Sequence, residues 1–248
     1  MELKFTAPSR PGLHRIVGPG NSQLEVLELF VLNLPSGGAQ TIELEGSEAS
    51  LVCIEGKLRI AAVNSEYTLL PGDGLYVPRG QTVSVEGVSE QSRLVMAAAE
   101  AWSDGELIYA DYGIAYREKE IHGRYNYTRD IVNLLIRSDR ASRIVTGITT
   151  GQDGAWTSWP PHHHSGTLEE IYFYFDIPSH GFGIHVGMLM DGTEQAEIVR
   201  SGDAVIIPNG YHPTVASPGT RMKYIFFLGA KGSEEDRRAP SEDHPYYR

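Results

Sequence analysis

Three consecutive histidines, His162-His163-His164, precede the acidic pair Glu169-Glu170, and a further histidine, His212, lies downstream. Along a strand, residues two apart share a face, so His162 and His164 point one way and His163 the other. By the same alternation, only one of Glu169 and Glu170 can join that pair. Three imidazoles and one carboxylate converging inside a small barrel suit a divalent transition metal and leave positions open for water or substrate. An ion held that way polarises a carbonyl and stabilises charge developing on neighbouring oxygens. The competing reading is a solvent-exposed histidine turn. It leaves His212 unexplained, since that residue stands at a turn-strand junction.

The elements that must position these groups are strands. Short runs rich in β-branched and aromatic residues recur, among them Ser50-Leu51-Val52-Cys53-Ile54, Ile171-Tyr172-Phe173-Tyr174-Phe175 and Tyr224-Ile225-Phe226-Phe227-Leu228. The 27 glycines and 14 prolines are spread between such runs rather than pooled in a linker. That pattern predicts an all-β sandwich or barrel. An internal repeat organises it. Pro71-Gly72-Asp73-Gly74-Leu75-Tyr76-Val77-Pro78-Arg79-Gly80 aligns with Ser201-Gly202-Asp203-Ala204-Val205-Ile206-Ile207-Pro208-Asn209-Gly210. The Gly-Asp pair, the proline and the second glycine all match at one constant offset, which reads as a turn, a buried strand and a second turn. We therefore expect two β-barrels: residues 1–109, a connection over 110–135, and residues 136–248 including a tail. Seven of the nine histidines fall in the second half, and the position equivalent to His212 in the first copy is Thr82. The first barrel is expected to be metal-free and structural.

Composition narrows the partners. Lys plus Arg number 21 against 32 Asp plus Glu, a net charge of −11, which gives no general attraction for nucleic acid or anionic lipid. No stretch reaches the roughly 20 apolar residues of a membrane span, and the start lacks a basic-then-apolar leader. A cytoplasmic setting is expected. The single cysteine, Cys53, excludes an intramolecular disulfide and reads as a small core residue. No phosphate-binding P-loop, dinucleotide GxGxxG turn or GxSxG elbow is present.

The residues His162-x-His164-x5-Glu170 and Gly202-Asp203-x4-Pro208-x-Gly210-x-His212 resemble the two halves of the cupin metal motif. A duplicated chain of this length is then similar to a bicupin, two double-stranded β-helix (jelly-roll) barrels. More narrowly, Trp156-Thr157-Ser158-Trp159-Pro160-Pro161-His162-His163-His164, Leu168-Glu169-Glu170-Ile171-Tyr172-Phe173-Tyr174 and Gly202 to Pro213 resemble the 5-deoxy-glucuronate isomerases of inositol catabolism. The related 4-deoxy-threo-hexosulose-uronate ketol-isomerases share the Glu170 to Phe175 type of run. Where the resemblance leads to an aspartate after the histidines, this chain has Ser165.

The resemblance implies a metal-dependent aldose-ketose isomerase converting 5-deoxy-D-glucuronate to 2-deoxy-5-keto-D-gluconate. It selects Glu170 over Glu169, so the implied ligands of one divalent ion are His162, His164, Glu170 and His212. Zn or Mn is the expected metal, with Fe or Ni as alternatives. If Glu170 points inward, strand parity sends Tyr172 and Tyr174 inward too, as candidate catalytic groups. The substrate carboxylate calls for a cation, for which Lys223 or Arg221 on the last strand is the candidate. His163 is expected at the surface or supporting a neighbouring ligand rather than ligating, His180 in a solvated turn, and His185 as a group facing either way. The tail tyrosines Tyr246 and Tyr247 are candidates for docking on a second copy in a homo-oligomer. Two other classes compete: an iron-dependent cupin dioxygenase and a noncatalytic sugar-binding bicupin.

Overall fold

The computed structural model describes residues 2–136, 140–164 and 166–247; Ser165 lies outside them. The chain is nearly all β and every pairing between its named strands is antiparallel. One large sheet runs Ile108–Ala110, Gly74–Val77, Ser47–Glu55, Gln91–Glu100, Glu28–Pro35 and Gly12–Val17. A four-stranded sheet (Ala39–Leu44, Gln81–Gly87, Leu58–Ala62, Ser65–Leu69) closes it into the first barrel. The second large sheet runs Lys4–Thr6, Asp203–Ile207, Leu168–Tyr174, Arg221–Ala230, Ile144–Asp153, Arg129–Leu135 and Glu120–His122. Its smaller companion contains Trp156–Thr157, Thr214–Ala216, Gly183–Met188 and Glu194–Val199.

The two large sheets lie back to back. In Gln91–Glu100, Leu94, Met96 and Ala98 fill the first barrel, whereas Val95, Ala97 and Ala99 enter a layer shared with Ile171, Phe173, Ile225 and Phe227 of the other half. Strands covered on both faces read as continuous apolar runs, as the sequence does here. The interior of the first barrel is filled by Leu51, Leu58, Ile60, Val83, Val85 and Leu94. Cys53 is buried in this same core, where desolvation pushes its thiol up to about 12 and keeps it protonated.

The repeated Gly-Asp pair has a physical basis. Gly72 and Gly202 hold φ of +100° and +94°, a region that glycine enters without steric cost. Each aspartate then accepts from the backbone N–H three residues earlier: Leu70 N to Asp73 Oδ2 at 2.9 Å, and Arg200 N to Asp203 Oδ2 at 2.8 Å. The second carboxylate oxygens fasten the chain entering the barrels. Tyr112 N donates to Asp73 Oδ1 at 2.8 Å, and Thr6 Oγ1 donates to Asp203 Oδ1 at 2.6 Å.

The structure redraws the expected boundaries. Lys4–Thr6, placed in the first barrel by sequence, pairs with Asp203–Ile207 of the second. Ile108–Ala110 pairs with Gly74–Val77 of the first, so that barrel runs one residue past its expected end at 109. Within 110–135, read as a connection, lie the helix Tyr112–Arg117 and the strands Glu120–His122 and Arg129–Leu135, both integral to the second sheet. Long-range pairing decides these memberships, and local composition carries no record of it.

Two buried carboxylates tie the halves together in a reciprocal way. Glu48 of the first sheet accepts from Ser142 N (2.7 Å), Arg143 N (2.5 Å) and Ile144 N (2.8 Å), and also from the Tyr76 hydroxyl. Glu169 of the second accepts from Glu25 N (2.7 Å), Val26 N (2.9 Å) and Leu27 N (2.6 Å). Each carboxylate satisfies three successive N–H groups in the entry to the opposite half. Such buried donors would otherwise be orphaned.

Candidate metal centre

Glu169 and Glu170 leave the strand Leu168–Tyr174 in opposite directions, Glu169 toward the shared layer and Glu170 into the second barrel. There Glu170 Oε2 lies 3.3 Å from His164 Nε2 and 3.1 Å from His212 Nε2. Ligand atoms of His162, His164 and His212 all fall within 4.8 Å of one another. Two ligands about 2.1 Å from a common cation, at octahedral or tetrahedral angles, are about 3.0–3.4 Å apart. The Glu170 contacts match that spacing. His164 Nε2, Glu170 Oε2 and His212 Nε2 are buried without a hydrogen-bond partner, an arrangement that is costly unless a cation completes it.

Local structure aims the rings. His162 Nδ1–H donates to Pro160 O at 3.1 Å and His212 Nδ1–H to Gly210 O at 3.1 Å. A carbonyl can only accept, so the proton sits on Nδ1 and the Nε2 lone pair is free toward the centre. Burial, followed by the neighbouring His212 and His164 rings, lowers His162 to about 3 and keeps it neutral, as a ligand must be. With its proton on Nδ1, His212 turns a lone pair to within 3.1 Å of Glu170 Oε2, a repulsion that a cation between them relieves.

The strand His162–His163 is held by the tail. Glu242–Asp243 pairs with it, and His244 N donates to Pro161 O at 2.7 Å. His163 turns away from the centre onto Tyr211, whose ring meets His244; Tyr247 packs on His244 and on Trp159 of its own chain. Tyr246 is exposed. Ending the chain after Arg238 is expected to weaken metal affinity about 10–100-fold, because His162 loses its supporting strand. Competition with a chromophoric chelator measures this, and undiminished affinity in a folded truncation would refute the role.

A cavity of about 680 Å³ opens onto this cluster, within the size range of small-molecule sites. His162, His164, Glu170, Tyr172 and Tyr224 border it, together with Arg129, Asn133, Glu120 and His122 from the supposed connection and Asp243 from the tail. Tyr172, a sequence candidate, borders the cavity: its hydroxyl donates to Ser158 Oγ at 3.2 Å and its ring stacks on Tyr224 at 4.1 Å. Tyr174 sits deeper and does not border the cavity; its hydroxyl lies 2.8 Å from His185 Nδ1 and donates to Thr214 Oγ1 at 3.4 Å. Burial pushes both phenols well above their ordinary value.

Lys223 is a correction. Its Nζ lies 3.1 Å from Asp176 Oδ2, on the face of Arg221–Ala230 opposite to Tyr224, Phe226 and Leu228, which border the cavity. Arg221 shares its parity and is exposed. The strand is apolar in both registers, so alternation by itself did not reveal which face looks inward. The cation that does border the cavity is Arg129. Its signal was the strand-like run Arg129 to Leu135, in a stretch read as polar.

His185 is fully buried, and burial, with His212 second, lowers it to about 3. The unfolded chain takes up that proton near pH 6.5 and the folded one does not, so this contribution is complete above pH 6.5 and is lost as pH falls toward 3. Urea unfolding of metal-free protein at pH 7 and pH 5 should show the parent losing about 2 kcal/mol more than His185→Gln. Equal acid sensitivity of the two would contradict this.

Known proteins resemble this chain in sequence and in fold. The model of the KduI/IolB family matches residues 6–246. A 5-deoxy-glucuronate isomerase of Geobacillus kaustophilus is 27% identical over 239 residues, covering 88% of this chain and 85% of its own. The enzyme of the same name from Halalkalibacterium halodurans is 29% identical over 227 residues, covering 83% and 82%. An IolB-like protein of Salmonella typhimurium superposes with a TM-score of 0.88 at 22% identity, covering 100% of this chain and 98% of its own. Oxalate decarboxylase of Bacillus subtilis shares the fold with a TM-score of 0.69 at 12% identity, over 98% of this chain and 78% of its own. With its all-β architecture and a family match spanning nearly its whole length, the chain belongs to the KduI/IolB family.

Proposed function

We propose that this protein is an aldose-ketose isomerase that converts 5-deoxy-D-glucuronate to 2-deoxy-5-keto-D-gluconate in myo-inositol breakdown. The observation that carries the reading is the convergence of His162, His164, Glu170 and His212, with free lone pairs, at a cavity sized for a six-carbon sugar acid. Relatives at 27–29% identity over most of the chain carry that enzyme name. One divalent cation is proposed as the cofactor, Zn or Mn ahead of Fe or Ni. Mixed nitrogen and oxygen ligation suits all four.

The reaction takes a proton from the carbon beside a carbonyl and returns one to its neighbour, so two adjacent oxygens gain negative character. A divalent cation in this centre supplies positive charge close to both, contributing several kcal/mol of transition-state stabilisation. The chain's own residues orient the sugar. The Tyr172 hydroxyl, which donates to Ser158 Oγ, keeps an oxygen lone pair that can accept from a sugar hydroxyl. Tyr224, Phe226 and Leu228 form an apolar wall that limits water around the reacting carbons. A cytoplasmic setting belongs to the same proposal; no helix among the described residues is long and apolar enough to cross a membrane.

NMR of 5-deoxy-glucuronate with metal-loaded protein under argon tests the reading. The keto acid should accumulate without oxygen and fail to form after chelation. Conversion that requires oxygen would favour a dioxygenase, and no conversion with any of the four metals would overturn the proposal.

A further inference from the structure

We infer that Arg129 is the carboxylate anchor of the cavity and the residue that selects an acidic sugar over a neutral one. This rests on the isomerase reading above and names how that site recognises its substrate. Arg129, Ile131 and Asn133 alternate along Arg129–Leu135 and all three border the cavity, so strand parity points the guanidinium inward. Arg129 is 8% exposed. Among the described residues bordering the cavity it is the one lysine or arginine, and no carboxylate among the described residues forms an ion pair with it. Of the acids bordering the cavity, Glu170 faces His164 and His212, Glu120 holds His122 at 2.7 Å and Asn133 at 2.9 Å, and Asp243 comes from the tail strand and makes no ion pair with Arg129.

One guanidinium nitrogen is used within the fold, Arg129 Nη1 donating to Trp159 O at 2.6 Å. Guanidinium carries five N–H donors in a planar fork, so donors remain for a ligand. A buried cation without a counter-charge is unfavourable unless something completes it. A carboxylate is the chemical match, because it accepts two parallel N–H bonds from that fork. The same wall turns Arg129 and the metal cluster toward one space, which suits a short chain with reacting oxygens at one end and a carboxylate at the other.

The Trp159 bond also allows a purely structural role, since Trp159 precedes the ligand His162 by three residues. The experiment separates the two. Calorimetry on metal-loaded protein compares 5-deoxy-glucuronate with its C6 alcohol, 5-deoxyglucose, and D-glucuronate with D-glucose, for the parent, Arg129→Met and Arg129→Gln. The parent should prefer each acid by about 30-fold or more, and both variants should bind acid and alcohol alike with parental metal content. Arg129→Gln keeps a donor for the Trp159 carbonyl and serves if Arg129→Met does not fold. A variant that weakens acid and alcohol equally, or a parent without preference, overturns the anchor. If the parent discriminates through Arg129 yet converts no 5-deoxy-glucuronate, the isomerase reading fails while the anchor stands.

Discussion

His212→Ala is expected to empty the metal centre and to reduce isomerisation about 1,000-fold or more. The imidazole is 1% exposed, fixed by its Nδ1–H bond to Gly210 O and set 3.1 Å from Glu170 Oε2. Its removal takes away one of three convergent nitrogens and leaves Glu170 facing His164 across an enlarged space. A loss of about 4 kcal/mol in transition-state stabilisation corresponds to that factor in rate. Elemental analysis of the variant should find the ion absent, where the parent holds about one per chain. His163→Ala is the matched control: its ring lies on Tyr211, outside the centre, and both metal content and turnover should persist. Retention of metal and activity by His212→Ala would remove the basis for the proposed chemistry.

The largest effect on stability is expected at Glu169 and Glu48. Glu169→Ala removes the acceptor of three successive N–H groups, those of Glu25, Val26 and Leu27. Each buried donor left without a partner costs about 1–3 kcal/mol, so a loss of about 3–5 kcal/mol is expected. Against a typical total of 5–15 kcal/mol this is severe. Glu48→Ala should cost a similar amount, since Ser142, Arg143 and Ile144 depend on it in the same way. Urea unfolding measures both. Glu169→Ala should also loosen the back-to-back sheets while sparing Glu170, which leaves the strand on its other side. A change below 1 kcal/mol in either variant would show that the entry segments hold themselves in place.

The grouping of His162, His164, Glu170 and His212 was legible because much of its geometry is local. His162 and His164 share a face by strand alternation. Glu170 follows on the next strand of a short connection, and the Gly202-Asp203 to Gly210 turn-strand-turn unit delivers His212. Tyr172 followed from the same parity as Glu170. The role of Glu169 was half visible: parity sent it away from the metal, and nothing local showed that three N–H groups of residues 25–27 waited there. Lys223 and Arg129 mark the boundary of such reasoning. Arg221–Ala230 carries apolar residues in both registers, because one face meets the other half and the opposite one lines a cavity. Period-two reasoning then yields two equivalent answers.

What this sequence determined by itself is the repeat, the all-β character and the shared face of His162 and His164, each encoded over spacings that one strand or one turn fixes physically. Tertiary structure alone decided which face of the last strand looks inward, that Arg129 rather than Lys223 meets the cavity, that Lys4–Thr6 crosses to the second half, and that the tail clamps the His162 strand. Those outcomes depend on pairing between segments far apart in the chain. Backbone hydrogen bonds supply that pairing, and they are nearly indifferent to the side chains a local reading can see.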